Sequence, residues 1–172
     1  MIRKLAFILL AIVLAAIGFL GYSIYDRLEE EQAITERIAS LPEFSAVTLD
    51  GEMIQMPGAA KGSPLILTYI NTDCKFCRAE IQSIRRHKDL QEKSTIYLVS
   101  DEPTSVLKHF AEDAELDSLR NILVLQDSDQ QIKRIFGIVG VPSTFVYGID
   151  GTLLQSFKGE TKAEVLYDEL IR

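Results

Sequence analysis

From Leu5 to Tyr25 the chain carries no charged residue, and from Leu5 to Leu20 it is Leu, Ala, Phe, Ile and Val throughout except for Gly18. Twenty-one helical residues at about 1.5 Å rise cover roughly 31 Å, close to the hydrocarbon thickness of a bilayer. A buried core helix rarely runs so long without a polar face, so the stretch predicts a membrane-spanning helix over 5–25. Arg3 and Lys4 precede it, whereas Asp26, Glu29, Glu30 and Glu31 follow against a single Arg27. That asymmetry keeps the N-terminus in the cytoplasm and places the remainder outside. The rival reading is a cleaved secretory signal, but Phe19-Leu20-Gly21-Tyr22 is a poor small-x-small site. Either reading exports the rest of the chain to a compartment that permits disulfides.

What remains is one domain's worth of sequence. The 172 residues are 47% apolar and 25% charged, enough to bury a core and too few for a multidomain enzyme. A net charge of -7 has the wrong sign for a nucleic-acid partner. The expected organisation is an anchor over 1–25, a charged helical linker over 26–41 with Ile34, Ile38 and Leu41 on one stripe, and a folded domain over 42–172.

Within that domain, apolar runs at Leu65–Ile70, Thr95–Val99 and Asn121–Leu125 read as buried strands. Each is followed by a helical pattern: Cys77, Ile81 and Ile84; then Val106, Leu107, Phe110 and Ala114 after Pro103; then a short helix from about Asp129 to Phe136. Phe44–Leu49 and Met53–Met56 flank Asp50-Gly51, a type I′ turn signal, and Thr144–Tyr147 and Thr152–Phe157 flank Asp150-Gly151, so both pairs read as hairpins. Thr161 and Glu164 form a capping-box pattern for a last helix ending at Ile171. Alternating strands and helices predict an α/β fold with a mixed central sheet and helices on both faces.

The two cysteines are Cys74 and Cys77, in the sequence Cys74-Lys75-Phe76-Cys77 where a strand gives way to a helix. In the first helical turn this spacing lets the sulfurs bridge, and the first cysteine lies against unsatisfied backbone N–H groups that favour thiolate over thiol. Cys74 is then the nucleophile, and Cys77 resolves the mixed disulfide. Three other uses of the pair are weaker. An inert disulfide closing so short a loop would constrain the unfolded chain very little. A zinc site lacks a second ligand pair, since only His87 and His109 remain, and haem attachment lacks a histidine after Cys77, where Arg78 stands. His87 and His109 read as surface or boundary residues, Asp127 and Asp129 as caps, and Met53 and Met56 as packing residues.

Farther on, Gly140-Val141-Pro142-Ser143-Thr144-Phe145 opens an apolar strand with a proline. The order of strand, CxxC, helix, Val-Pro-Ser-Thr, hairpin and closing helix resembles the thioredoxin fold over roughly residues 42–171. The apolar N-terminus, the added hairpin Phe44–Met56 and Glu80 three residues after Cys77 resemble its membrane-anchored TlpA/ResA-like branch. The resemblance implies that Cys74 attacks, Cys77 resolves, Pro142 is cis, and Val141 offers backbone hydrogen bonds to a substrate strand. Thr72 stands where that family commonly has an aromatic residue, and Phe76 where a proline is usual.

The resulting expectation is a thiol–disulfide oxidoreductase on the outer face of the cytoplasmic membrane, using no cofactor. It reduces disulfides of exported proteins, with apocytochrome c as one implied client, and a membrane thiol–disulfide protein supplies its electrons. Two alternatives use the same thiols: a peroxiredoxin-like peroxidase, although the Pro-x-x-x-Thr-x-x-Cys spacing is missing, and a copper-delivery protein binding Cu(I). Glu80 shares a helix face with Cys77. It either complements the helix end in solvent or, if buried, acts as a general acid/base coupled to the thiols.

Overall fold

The structure, a computed structural model, describes residues 2–58 and 62–172, and the side chains from residue 14 onward. It divides into two units, Met1–Glu36 and Arg37–Arg172. Helix α1 (Ile2–Ile38) is continuous through the expected span and into the expected linker. Residues 5–13 of that span lie outside the described side chains, and among the described residues no helix is long and apolar enough to cross a membrane. Of the side chains that are described, Leu14, Ile17, Phe19, Leu20, Tyr22, Ile24 and Tyr25 are all exposed.

The second unit begins before Pro42. Ile38 is buried, and its carbonyl accepts from the Tyr147 hydroxyl at 3.0 Å. The Ala39 carbonyl accepts from Leu153 N–H, and Leu41 N–H donates to the Gly151 carbonyl. Residues placed by their charge in a linker therefore belong to the domain, because their backbone groups complete the edge of a hairpin.

Seven strands form one sheet: β1 (Phe44–Thr48), β2 (Met53–Met56), β3 (Leu65–Tyr69), β4 (Thr95–Ser100), β5 (Ile122–Gln126), β6 (Ser143–Tyr147) and β7 (Leu153–Lys158), in the order β2-β1-β5-β4-β3-β6-β7. β3, β4 and β5 are parallel, while β1 runs against β5 and β6 against β3. The helices are α2 (Lys75–Arg86), α3 (Lys88–Lys93), α4 (Thr104–Asp113), α5 (Gln131–Ile135) and α6 (Ala163–Ile171). Two parallel crossovers in one direction, β3 to β4 and β4 to β5, put α2 and α4 on one face. There Ile66, Ile96, Leu98, Val124 and Val146 meet Ile81, Ile84, Leu107, Phe110 and Leu166. On the other face the Phe136 ring packs against Phe44, Phe145 and Tyr147. β3 is buried along its whole length, which is why it reads as a continuous apolar run rather than an alternating one.

Several local expectations are corrected. Only Gly51 and Gly151 have positive φ in the two hairpin turns, whereas a type I′ turn needs it at both central residues. Instead Gly51 N–H donates to the Thr48 carbonyl and Thr48 N–H to the Glu52 carbonyl, and Gly148, Gly151 and Thr152 repeat the pattern. These are three-residue loops with glycine in the left-handed position. The capping box does not form: Thr161 N–H donates to Glu80 Oε2, and Ser83 Oγ caps Ala163 N–H from the neighbouring helix. Val106 is exposed while Ala111 takes its place in the core, and Met53 is 67% exposed, so only Met56 packs. Helix α3 has no counterpart in the sequence reading; His87 Nδ1 starts it by accepting from Leu90 N–H.

Candidate functional site

Ligands of open α/β sheets gather beyond the carboxyl ends of the parallel strands, where the chain order reverses. Here β3 is flanked by β4, reached through α2, and by β6, reached from β5 through α5. Cys74 follows β3 and Pro142 precedes β6, so Tyr69 and Ser143 are paired at this end of the sheet. Residues 67 positions apart in the chain thereby meet. The Cys74 thiol lies 3.9 Å from the Val141 carbonyl, and the Val141–Pro142 peptide bond is cis. The Pro142 carbonyl is taken by Gly159 N–H, which fixes the Val-Pro segment against β7.

Cys74 is the N-cap of α2, and its sulfur accepts from Cys77 N–H at 3.2 Å. It is half-buried, whereas Cys77 is 0% exposed; both are free thiols. Burial pushes the Cys77 thiol up to about 12, helped by its hydrogen bond to Cys74 and by the charges of Cys74 and Glu80, against a lowering contact with the Asn71 backbone. The two sulfurs are thus unequal in access, as the first helical turn of an inward-facing helix dictates.

Glu80 is also 0% exposed, on the same buried face of α2 as Cys77, Ile81 and Ile84. Of the two environments open to it from sequence, the solvent-facing one is excluded. Its Oε1 accepts from the Thr144 hydroxyl at 2.6 Å and its Oε2 from Thr161 N–H at 2.9 Å, and Thr144 Oγ1 lies 3.0 Å from Thr68 Oγ1. Burial pushes its carboxyl up to about 7, with the Glu160 charge adding to the rise and the two donors holding it back. Sequence reasoning found Glu80 from its spacing to Cys77, but missed Thr144, Thr161 and Ser83. Only the position of Thr144, two residues after Pro142, hinted at any of them.

The other candidates have structural roles. Asp127 is buried and caps α5, accepting from Ile132 N–H and Lys133 N–H and from the Tyr69 hydroxyl. Asp129 Oδ1 accepts from Gln131 N–H, and His109 is exposed on α4. Among the described residues no cluster of three or more His, Cys, Asp or Glu could hold a metal ion.

Comparison with known proteins agrees with this geometry. The model of the AhpC/TSA family matches residues 39–156. The thiol-disulfide oxidoreductase ResA of Bacillus thuringiensis subsp. konkukian (strain 97-27) is 29% identical over 166 residues, covering 95% of this chain and 91% of that one. The thioredoxin-like protein YneN of Bacillus subtilis (strain 168) is 24% identical over 160 residues, covering 90% and 91%. Among solved structures, StoA from Bacillus subtilis superposes with a TM-score of 0.60 at 21% identity, over 76% of this chain and 98% of that one. A secreted Mycobacterium tuberculosis disulfide oxidoreductase homologous to E. coli DsbE gives 0.63 at 21%, over 78% and 96%. The solved structures share the fold. The family model covers most of the chain and includes both cysteines, and the dithiol sits at the head of a helix beside a cis-proline: the chain belongs to the AhpC/TSA family, as a thioredoxin-like thiol–disulfide oxidoreductase.

Proposed function

We propose that the protein is anchored by residues 5–25 to the outer face of the cytoplasmic membrane and reduces disulfides of exported proteins through Cys74 and Cys77. The observation that carries the chemistry is the inequality of the sulfurs: Cys74 is accessible at the helix start, and Cys77 is fully buried beside a buried carboxylate. Cys74 sulfur attacks one sulfur of a client cystine. The client S–S bond breaks, a mixed disulfide forms, and the departing client sulfur takes up a proton. Cys77 then gives its proton to ionised Glu80 and attacks Cys74 sulfur, releasing the second client thiol. Two electrons and two protons pass to the client, and an external dithiol, for which a membrane electron donor is the fitting source, resets the pair.

Burial explains why the second step needs a base. A thiol pushed up to about 12 is almost entirely protonated at neutral pH, whereas a carboxyl pushed up to about 7 exchanges a proton there easily. The Val141 carbonyl, 3.9 Å from the Cys74 thiol, supports a role for the Val141-Pro142 segment in aligning an extended client strand. The anchor is supported by the uncharged run, the basic residues before it, the acidic ones after it, and the exposed apolar side chains from Leu14 to Tyr25. Exported c-type apocytochromes, which carry paired cysteines, fit as clients.

The test is trapping in cells with the full chain. Cys77→Ser accumulates mixed disulfides with exported proteins, recovered in the membrane fraction and cleaved by protease added from outside, while Cys74→Ser accumulates none. Equal trapping by both variants would overturn the assignment of the nucleophile, and recovery in the soluble cytoplasm would overturn the anchor. Rapid peroxide consumption by Cys77→Ser would instead favour the peroxidase reading.

A further inference from the structure

The last backbone rung between β3 and β4 is Ile70 N–H to the Val99 carbonyl. Beyond it the two chains part, one toward Cys74 and the other toward α4. A side chain bridges the gap. Glu102 Oε2 accepts from Thr72 N–H at 2.8 Å, and Glu102 Oε1 accepts from the Thr72 hydroxyl at 2.8 Å. The carboxylate therefore supplies the acceptor that a continued ladder would have supplied, and it also takes the side-chain donor. The remaining polar group of Thr72, its carbonyl, accepts from Arg78 Nε at 2.8 Å. Glu102 is itself held, since Ser100 Oγ donates to Oε2 at 3.1 Å and Ser100 is fully buried.

Thr72 is thus fixed at every polar atom, two residues before the nucleophile. The segment between it and the helix has few other restraints: Asp73 N–H donates to Asn71 Oδ1, and Cys74 N–H to the Asn71 carbonyl. Phe76, the next large side chain, is 50% exposed and gives the loop little packing. Cys74 packs against the core and its sulfur meets Cys77 N–H, but the residues before it are polar, and such a segment opens easily unless hydrogen bonds pin it.

We propose that Glu102 is a positioning residue for the dithiol: by receiving both donors of Thr72 it sets the place from which Cys74 caps α2, and so biases the pair toward the dithiol. This rests on the reading of Cys74 and Cys77 as a redox pair. Charge-assisted bonds to two donors are stronger than neutral ones, and here both donors are on one residue. The capping contact from Cys77 N–H to Cys74 sulfur is present with both thiols free. Releasing the loop weakens that arrangement and moves the balance toward the disulfide.

The experiment measures the dithiol/disulfide equilibrium of the full chain against glutathione, together with the rate of Cys74 alkylation and the urea midpoint. Glu102→Ala shifts the equilibrium toward disulfide threefold or more, about 14 mV for a two-electron couple. Glu102→Gln, which keeps an acceptor for Thr72 N–H and can donate to the hydroxyl, restores most of it. Because Glu102 acts through Thr72, adding Thr72→Val to Glu102→Ala produces no further shift. A Glu102→Ala chain with a lowered urea midpoint but an unchanged equilibrium and alkylation rate would show only a structural role and overturn the proposal, as would a shift toward the dithiol or fully additive effects with Thr72→Val. If the unaltered chain forms no disulfide between Cys74 and Cys77, the redox reading fails and the positioning role with it.

Discussion

Among the described residues of this domain two carboxylates are buried, Glu80 and Asp127, one on each face of the sheet, and they differ in where their partners come from. Asp127 accepts from Ile132 and Lys133 N–H, five and six residues ahead, and from the Tyr69 hydroxyl. Glu80 accepts from Thr144 and Thr161, 64 and 81 residues away. The first closes a helix start with its own backbone. The second joins α2 to β6 and to the approach to α6, on the face that carries Cys77. Burial of a carboxylate alone therefore does not mark a functional group; what matters is whether it closes a helix start, as Asp127 does, or stands on the helix face that carries a reactive thiol, as Glu80 does.

The largest effect that distinguishes them is on stability. Asp127→Ala strands two helix N–H groups and a buried tyrosine hydroxyl, a loss of roughly 3 to 5 kcal/mol in urea unfolding of the full chain. Thiol–disulfide exchange by the fraction that remains folded is unchanged. A loss below about 1 kcal/mol would mean that water replaces the carboxylate and that its burial is not structural.

Glu80 gives a pH signature instead. Its carboxyl lies at about 7 in the folded chain against 4.5 for the free group, so the folded state binds the extra proton between those values. Stability is fully present below about pH 4.5 and is lost as pH rises through about 7, by roughly 3 kcal/mol at 1.36 kcal/mol per unit. Glu80→Gln removes that slope and, if the carboxylate couples to the thiols, shifts the pH profile of Cys74 alkylation by about half a unit or more. An unchanged profile together with a flattened stability curve would separate the titration of Glu80 from the chemistry.

The same contrast explains what was legible in the sequence. Asp127 reads as a cap because its two backbone partners open the helix that follows it five and six residues on, and Cys74 and Cys77 read as a pair because their spacing is their geometry. Glu80 is visible only as a neighbour of Cys77; that the face it shares is buried depends on α6 and β6 closing over α2. Thr161 reads from sequence as part of a capping box, a local rule that loses to the buried carboxylate's need for a donor. Glu102 carries no sequence signal, since its partner Thr72 is 30 residues earlier and across a strand pair. The strands are legible as runs of β-branched residues, whereas the turn type is not, because Asp-Gly serves both the two-residue loop and the three-residue loop with a left-handed glycine.

The smallest effect tests how finely Glu80 is set. Thr144 Oγ1 stands between Thr68 Oγ1 and Glu80 Oε1, at 3.0 and 2.6 Å, and both threonines are 0% exposed. With Glu80 ionised, the Thr144 hydroxyl donates to the carboxylate and the Thr68 hydroxyl can donate to Thr144, so the two dipoles align on the charge. Thr144→Val keeps the shape, removes that donor and strands the Thr68 hydroxyl, at a cost of about 1 kcal/mol. Only the ionised carboxylate loses a favourable partner, so the carboxyl rises further and the Glu80-dependent stability change moves to higher pH. Burial, Thr161 N–H and the Glu160 charge, which also act on Glu80, are unchanged by the substitution. The urea midpoint followed across pH reads the displacement directly: a shift of the transition to higher pH is expected, and a shift to lower pH would mean that the hydroxyl faces Thr68 and supports the protonated acid.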